Sequence, residues 1–424
     1  MNRTSEQRQG RADRICRCFT SQCRLPLQAF LNRTEQIMER RELGIYVHIP
    51  FCARKCAYCD FLSFPAGRSA QERYFTALNR EIEGFGDADR YEAVSVYFGG
   101  GTPSLPDPAL ITKTLDTIRA VFSVREDAEI TIECNPGTLG RDKLEAYRGA
   151  GFNRLSLGLQ TSDNVLLRQL GRIHTWERFR EEYLLARLAG FSNISVDLMY
   201  ALPGQTCAGW RETLEKVLSL PDPPEHISAY SLIIEEGTAF WERYHEDAEA
   251  RARGDRPLFL PSEEEEERML SDLKEMLGKR GMLRYEISNY AVPGRESRHN
   301  TGYWTRREYA GFGLGASAQL GRRRIRNTAD LEQYLENETA GRTVVLLSEK
   351  DEMEETMFLG LRRMQGVDLE RFARTFGVRA EEVYGPVIEA MTDNGLLETA
   401  GDYLRLTGRG VDLSNLVMAE FLLD

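Results

Sequence analysis

Three cysteines stand within eight residues of one another, Cys52, Cys56 and Cys59, in the run GIYVHIPFCARKCAYCDFLSF (44–64). Thiolates spaced this closely on one loop can reach a single metal centre, and two kinds of centre compete. A structural zinc asks for four protein ligands in a tetrahedron. His48 is the nearest candidate for the fourth, and no further Cys or His pair follows. A cubic iron–sulfur cluster takes one ligand per iron, so three cysteines leave one iron open. An open iron can accept a small molecule through an amine and a carboxylate. The methionyl end of S-adenosylmethionine carries that pair, and an electron passed to it can cleave the sulfonium to a 5′-deoxyadenosyl radical. The C-x₃-C-x₂-C spacing points to the cluster and leaves structural zinc as the alternative.

The surrounding elements are of a kind that positions reactive groups. From residue 44 to about 235, β-rich runs alternate with helical patterns. The strand candidates are GIYVHIPF (44–51), AVSVYFGG (93–100), EITIECNP (129–136), RLSLGLQ (154–160), NISVDLMYAL (193–202) and HISAYSL (226–232). Stretches such as SAQERYFTALNREIEGF and SDNVLLRQLGR lie between them. Strands separated by helices imply parallel βαβ units. The expected fold class is therefore α/β, a partial (βα)6 TIM-type barrel with helices outside. Sites in such barrels gather at the C-terminal ends of strands. The cysteines follow the first strand, GGGTPS (99–104) ends the second, Glu133 the third and Gln160 the fourth.

Beyond the barrel, SEEEEERMLSDLKEMLGKR (262–280) reads as a Ser-capped helix with acidic first turns on a solvated face. RYEISNYA (284–291) reads as a further strand. YAGFGLGASAQL (309–320) reads as a stretch whose backbone approaches something closely. The last eighty residues give three helices and then a short hairpin, a small winged-helix-like domain. Its mixed charge lacks the basic stripe of a DNA reader.

The chain has 424 residues, enough for two or three domains. The expected division is a basic N-terminal extension (1–43), a barrel domain with the cysteine loop (44–325) and a C-terminal helical domain (345–424). A net charge of −11 argues against general nucleic-acid binding. No apolar run approaches the roughly 18 residues of a membrane span, and the N-terminus shows no secretory h-region. The expected location is cytoplasmic, where thiols stay reduced. Residues 1–42 carry nine Arg against five Asp or Glu. They also hold Cys16, Cys18 and Cys23, read as incidental in a poorly ordered arm, with a second metal site as the alternative. Met38 leaves room for a later start. Cys134 and Cys207 are read as buried thiols.

The chain resembles the radical S-adenosylmethionine superfamily: Cys52, Cys56 and Cys59 match its cluster motif, Tyr58 the aromatic near the adenine, and GGGTPS its glycine-rich strand end. YVHIPFC, GGGTPS, ECNPG, LGLQ and DLMYALPGQT, in that order, resemble the coproporphyrinogen-dehydrogenase-like branch. That branch holds the oxygen-independent coproporphyrinogen III oxidases and the HemW-type heme chaperones. The resemblance implies a [4Fe-4S] cluster on the three cysteines. It further implies S-adenosylmethionine contacts for Tyr46, Tyr58, Gly100, Gly101, Thr102, Glu133, Gln160, Arg172 and Asp197.

Four features separate the two branches. The oxidases carry a further cysteine two residues after the third, where this chain has Phe61. They also carry a Tyr-rich N-terminal segment, and residues 1–43 contain no tyrosine. HNTGYW (299–304) matches the H-N-x-x-Y-W motif of the HemW type, and the tail resembles that group down to the spacing of Asn415 and Phe421. The resemblance thus implies a heme carrier. His299 would be an axial ligand, Asn300 would lie beside it, and Tyr303 and Trp304 would stack on the porphyrin. The alternative is that His299 and Asn300 pair with backbone while Tyr303 and Trp304 pack against the barrel. The implied partners are heme and heme-accepting hemoproteins, notably membrane respiratory enzymes, with cluster and cofactor serving heme assembly or release or a homodimer. Radical decarboxylation of coproporphyrinogen is the runner-up function, and a zinc-stabilised barrel for another small ligand is the third.

Overall fold

The structure, a computed structural model, describes residues 40–423. Cys16, Cys18, Cys23 and Met38 lie outside the described residues. Six strands run in sequence order through the centre: β1 (Arg41–Ile49), β2 (Tyr91–Gly100), β3 (Ser123–Cys134), β4 (Arg154–Gln160), β5 (Ile194–Tyr200) and β6 (His226–Ser231). From β2 to β6 each strand pairs parallel with the next. Helices cross the gaps at Arg68–Glu83, Pro108–Val121, Arg141–Ala150, Trp176–Leu188 and Cys207–Leu218. β4 is buried at every position, which only a sheet covered on both faces tolerates. Helix starts follow residue type: Asp107, Asp163, Thr175 and Thr206 each accept hydrogen bonds from first-turn amides. This is the expected α/β partial barrel.

The sheet continues past both ends. β7 (Leu283–Arg284) and β8 (Asn289–Ala291) add antiparallel beyond β6. On the other side β9 (Tyr309–Phe312) pairs parallel with β1, followed antiparallel by β10 (Ser317–Leu320), β11 (Arg323–Arg326) and β12 (Thr343–Leu346). RYEISNYA is therefore not one strand but a hairpin. Glu286 breaks it: the fully buried carboxylate accepts from Ser288 N (2.9 Å) and Asn289 Nδ2 (2.5 Å), closing a turn that alternation alone does not reveal. The glycine-rich stretch does bring backbone close, but to itself. A Cβ on Gly311 would lie 1.9 Å from Ser317 O, so β10 can fold back on β9 only over glycine.

The added strands are clamped to the first helix by one buried carboxylate. Glu81 accepts from Gly313 N, Tyr334 OH and Asn327 Nδ2, each at 2.7 Å, and pairs with Arg342. The acidic helix (Glu263–Gly278) carries a capping box between Ser262 and Glu265, in line with its reading as a Ser-capped helix. Cys134 is buried as expected. Cys207 is only half-buried, because it opens a helix on the surface and its sulfur reaches Glu265 O at 3.6 Å.

The C-terminal region has its own core around Met357, Leu361, Phe372, Tyr384, Leu404 and Phe421. Helices Glu349–Leu361, Leu369–Phe376 and Ala380–Asp393 precede a hairpin of β14 (Leu397–Ala400) and β15 (Tyr403–Leu406), to which β13 (Val367–Asp368) adds a third strand. The three helices and hairpin match the sequence reading; β13, two residues long, has no readable pattern. Arg306 joins this region to the barrel through Glu352 (3.2 Å) and Glu355 (3.3 Å), Arg324 pairs with Glu355 at 2.7 Å, and Arg362 lies 4.3 Å over the Trp304 ring. Glu42–Asp424 accordingly form one compact unit. Among the described residues no helix is long and apolar enough to cross a membrane.

Candidate cluster and cofactor site

The cysteine loop leaves the end of β1 and is tied down on both sides. Cys52 N donates to Phe64 O (3.1 Å), Ala57 N to Leu170 O (2.9 Å), and Cys59 N to Cys56 O within the turn (3.2 Å). Each sulfur meets a chosen neighbour. Cys52 Sγ lies 3.3 Å from Thr102 Oγ1, which accepts from Asn135 Nδ2 at 2.7 Å. Arg172 places Nη1 3.7 Å from Cys56 Sγ and donates through Nη2 to Asn135 Oδ1 (2.7 Å) and Gly158 O (2.5 Å). A Cβ on Gly101 would sit 3.0 Å from Cys52 Sγ and 2.9 Å from Phe51 O, so the strand end can pass under the loop only as glycine.

These elements enclose a cleft of about 330 Å³ at the C-terminal ends of the strands. Cys52, Cys56, Cys59, Tyr58, Gly100, Gly101, Thr102, Glu133, Gln160, Arg172, Asp197 and Asn300 all line it. Tyr46 lies one layer back, its OH 3.1 Å from His48 Nδ1 and its ring against Gly99. Gln160 adopts φ 72° beside a bulge between Gly158 and Gln160. A left-handed non-glycine residue costs about 1–3 kcal/mol and marks a strand end shaped for a site.

The cleft wall is acidic and poorly solvated. Glu133 accepts from Tyr97 OH (2.7 Å) and Gly100 N (3.1 Å), yet burial pushes its carboxyl up to about 7, with Asp197 adding to the rise. Asp197 accepts from Ser156 Oγ (3.0 Å) and Ser195 Oγ (3.3 Å), and burial raises it as well. Arg154 opens β4 fully buried, lines the same cleft and leaves Nε without a hydrogen-bond partner. Two carboxylates facing a cleft with two enclosed guanidiniums, Arg154 and Arg172, suit a ligand that carries both a cation and an anion.

His48, the zinc alternative's fourth ligand, spends Nδ1 on Tyr46 OH and Nε2 on Leu62 O (3.0 Å). Three thiols on one loop then leave a tetrahedral zinc short of a fourth protein ligand, whereas a cluster can leave one iron open. Burial pushes the Cys59 thiol up against a Phe61 backbone donor, with the Cys56 and Cys52 sulfurs raising it further. A cationic centre reverses all of that repulsion.

HNTGYW forms a short helix, Arg298–Trp304, whose first amides at Arg298 (3.0 Å) and His299 (3.1 Å) donate to the Glu129 carboxylate of β3. His299 is buried, with Nδ1 3.0 Å from Ser95 Oγ and Nε2 2.8 Å from Tyr303 OH. Its ring stacks on Tyr97 at 5.0 Å, and Tyr303 meets Tyr309 edge-on at 4.7 Å. Burial, then Arg307 and Arg154, lower His299 to about 3, which fixes a neutral ring. Both ring nitrogens are engaged inside the barrel wall. Tyr303 belongs to the same stack and Trp304 packs under Arg362, so neither presents an open face. Asn300 is the member of the motif that reaches the cleft.

Comparison with known proteins accords with this geometry. A model of the radical SAM superfamily matches residues 46–217, and one of the HemN C-terminal domain matches residues 347–413. A heme chaperone HemW from Lactococcus lactis subsp. lactis (strain IL1403) is 36% identical over 389 residues, covering 91% of this chain and 99% of that protein. The Bacillus subtilis (strain 168) heme chaperone HemW is 34% identical, covering 89% of this chain and 98% of its own length. The chain belongs to the HemW family. Its fold is also that of the coproporphyrinogen III oxidase (HemN) of Escherichia coli, with a TM-score of 0.77, 24% identity and 93% of both chains covered.

Within this HemW-family chain, sequence reading missed several cleft residues. Asn135 lies two places after Glu133 in the quoted ECNPG run, and its amide links Thr102 to Arg172. Arg154 carried a readable signal, a charge opening an otherwise apolar strand, because arginine is almost never fully buried without a purpose. Ser156, Ser228 and Tyr230 carried none, since a hydroxyl in a strand is ordinary.

Proposed function

We propose that this chain binds heme and passes it to other proteins, with a [4Fe-4S] cluster and S-adenosylmethionine in the cleft at the strand ends. The observation that carries the reading is similarity to HemW proteins along nearly their whole length, from the cysteine loop to the C-terminal core. Phe61 supports it: the side chain is 65% exposed at the cleft mouth, where the oxidase branch has a cysteine.

Cys52, Cys56 and Cys59 would hold the cluster, leaving one iron for the amine and carboxylate of the cofactor. When bound, the cluster supplies the electron that opens the sulfonium. The protein groups act before that. Arg172 holds the Cys56 thiolate and anchors Asn135, which fixes Thr102 beside Cys52. Glu133 and Asp197 offer acceptors to an ammonium and to ribose hydroxyls, and Gln160 can both donate and accept. Tyr58, half-buried beside Phe240, offers a ring face to a nucleobase.

The test pairs two measurements on anaerobically purified full-length protein. Heme titration should give a saturable Soret shift. Incubation with reductant, S-adenosylmethionine and coproporphyrinogen III should yield no protoporphyrinogen. Turnover of the porphyrinogen would replace the carrier reading with the oxidase; absence of any heme binding would remove it.

A further inference from the structure

The 330 Å³ cleft is framed by the three cysteines and suits a nucleoside-sized ligand, and both ring nitrogens of His299 are hydrogen-bonded within the protein. At the opposite end of the barrel lies a second cavity of about 820 Å³, framed by Asn153 and Asn193 just before β4 and β5, by β7, and by Arg363–Gln365 of the C-terminal region. Its volume is within the usual range of small-molecule and cofactor sites, about 300–1,000 Å³.

The charge of this cavity opposes that of the molecule. Six arginines line it, Arg148, Arg284, Arg295, Arg298, Arg307 and Arg363, against two glutamates, in a chain of net charge −11. One of those glutamates, Glu129, is spent on the backbone amides of Arg298 and His299. Arg298 and Arg307 have carboxylates in Asp127 (3.2 Å) and Glu42 (3.2 Å). Arg148, Arg284, Arg295 and Arg363 have no carboxylate at ion-pair distance among the described residues; Arg148 and Arg284 donate to backbone carbonyls, and Arg363 to the neutral Gln365. Burial depresses Arg307 and Arg363, with Arg125 and Arg298 adding to the fall at Arg307 and Arg371 at Arg363. Leu283, Tyr285 and Met364 supply apolar surface between the guanidiniums.

Arginine forks match carboxylates two bonds at a time. A ligand for this cavity has several anionic oxygens on an apolar body. Resting on the heme-carrier reading above, we infer that the arginine-lined cavity receives the tetrapyrrole, its propionates on the guanidiniums and its ring against Leu283, Tyr285 and Met364. The H-N-x-x-Y-W helix then stands between the two ligands, with Arg298 and Thr301 on this cavity and Asn300 on the cysteine cleft.

The experiment titrates full-length protein with iron protoporphyrin IX and with its dimethyl ester, then adds inorganic pyrophosphate as competitor. The free acid should bind at least about tenfold more tightly than the ester, the scale of one or two charged hydrogen bonds. The double variant Arg295→Ser/Arg363→Ser should lose heme affinity by about tenfold or more while iron at the cysteine loop stays unchanged. Arg295→Glu alone, at an exposed position that tolerates charge, should weaken heme in the same direction. Equal heme affinity in wild type and both variants overturns the site and leaves the carrier reading standing. Pyrophosphate binding that depends on these arginines but leaves heme bound assigns the arginines to phosphates and overturns it too. A wild type that binds no heme removes the carrier reading first, and this inference with it.

Discussion

The two ends of the barrel hold cavities built on opposite principles. At the C-terminal ends of the strands most polar groups are satisfied by one another before a ligand arrives: Glu133 by Tyr97 and Gly100, Asp197 by serines, Arg172 by Asn135 and Gly158, with Arg154 Nε the exception. At the other end, four arginines have no carboxylate at ion-pair distance among the described residues. The first arrangement is preorganised and small, and suits a ligand held in one orientation for chemistry. The second is larger, half-exposed and unbalanced in charge, and suits a ligand that must arrive and leave, since exposed guanidiniums steer anions in at little reorganisation cost. One short helix, Arg298–Trp304, touches both.

The largest effect should come from the first cavity. Cys56→Ser removes one of three sulfurs, and iron and sulfide in reconstituted protein should fall close to zero. If the two cavities are separate, heme affinity in that variant stays within about twofold of wild type, well under the scale of one lost charged hydrogen bond. A collapse of heme binding with the cluster would merge the two ends into one site.

His299→Ala ranks next and addresses the helix between them. Opening a buried aromatic stack should destabilise the protein by about 3 kcal/mol, read as a lower denaturation midpoint. The Soret position and the heme affinity should not move. A shifted Soret band would restore His299 as an iron ligand and require the barrel wall to open.

Glu133→Gln sharpens the electrostatic half of the comparison. The folded-state value of Glu133, near 7, lies above its ordinary 4.5, so the folded protein holds a proton that the unfolded chain releases. Its contribution to stability is present below about 4.5 and is lost as pH rises through about 7. Ligand-free wild type should therefore lose melting temperature between roughly pH 5 and 8 more steeply than the glutamine variant. Binding of a cationic ligand favours the ionised form. Wild-type affinity for S-adenosylmethionine should rise through neutrality, whereas the variant should be flat and about tenfold weaker. Parallel pH profiles for the two proteins would place the ligand's cation elsewhere.

What the sequence disclosed follows the same division. The cysteine cleft was legible because its parts lie on consecutive strand ends, so each short run announced one wall: GGGTPS, ECNPG, LGLQ. The arginine cavity was not. Arg148, Arg284 and Arg363 come from three distant segments, and each alone reads as a solvated surface charge. The aromatic stack of Tyr97, His299, Tyr303 and Tyr309 was hidden for the same reason. A motif read from the chain shows which residues are close in sequence. It does not show which way they point, and in HNTGYW only Asn300 points towards the cleft.

Phe61→Cys is the smallest change and tests the boundary between the two branches. The position is exposed at the cleft mouth, so the substitution removes an apolar rim without touching the core. Stability should change by about 0.5 kcal/mol or less, as for surface positions generally. The cluster should be unaffected, because Cys52 and Cys56 keep their contacts with Thr102 and Arg172, and the donor to Cys59 is the backbone of residue 61, which the substitution leaves in place. A cysteine alone should not create coproporphyrinogen turnover, since Tyr-rich substrate contacts of the oxidase branch are missing from residues 1–43. The expected result is unchanged iron content, unchanged heme affinity and no protoporphyrinogen. Measurable turnover in Phe61→Cys would mean that the cleft is already an oxidase site lacking one sulfur, and the two cavities would then serve one reaction rather than two tasks.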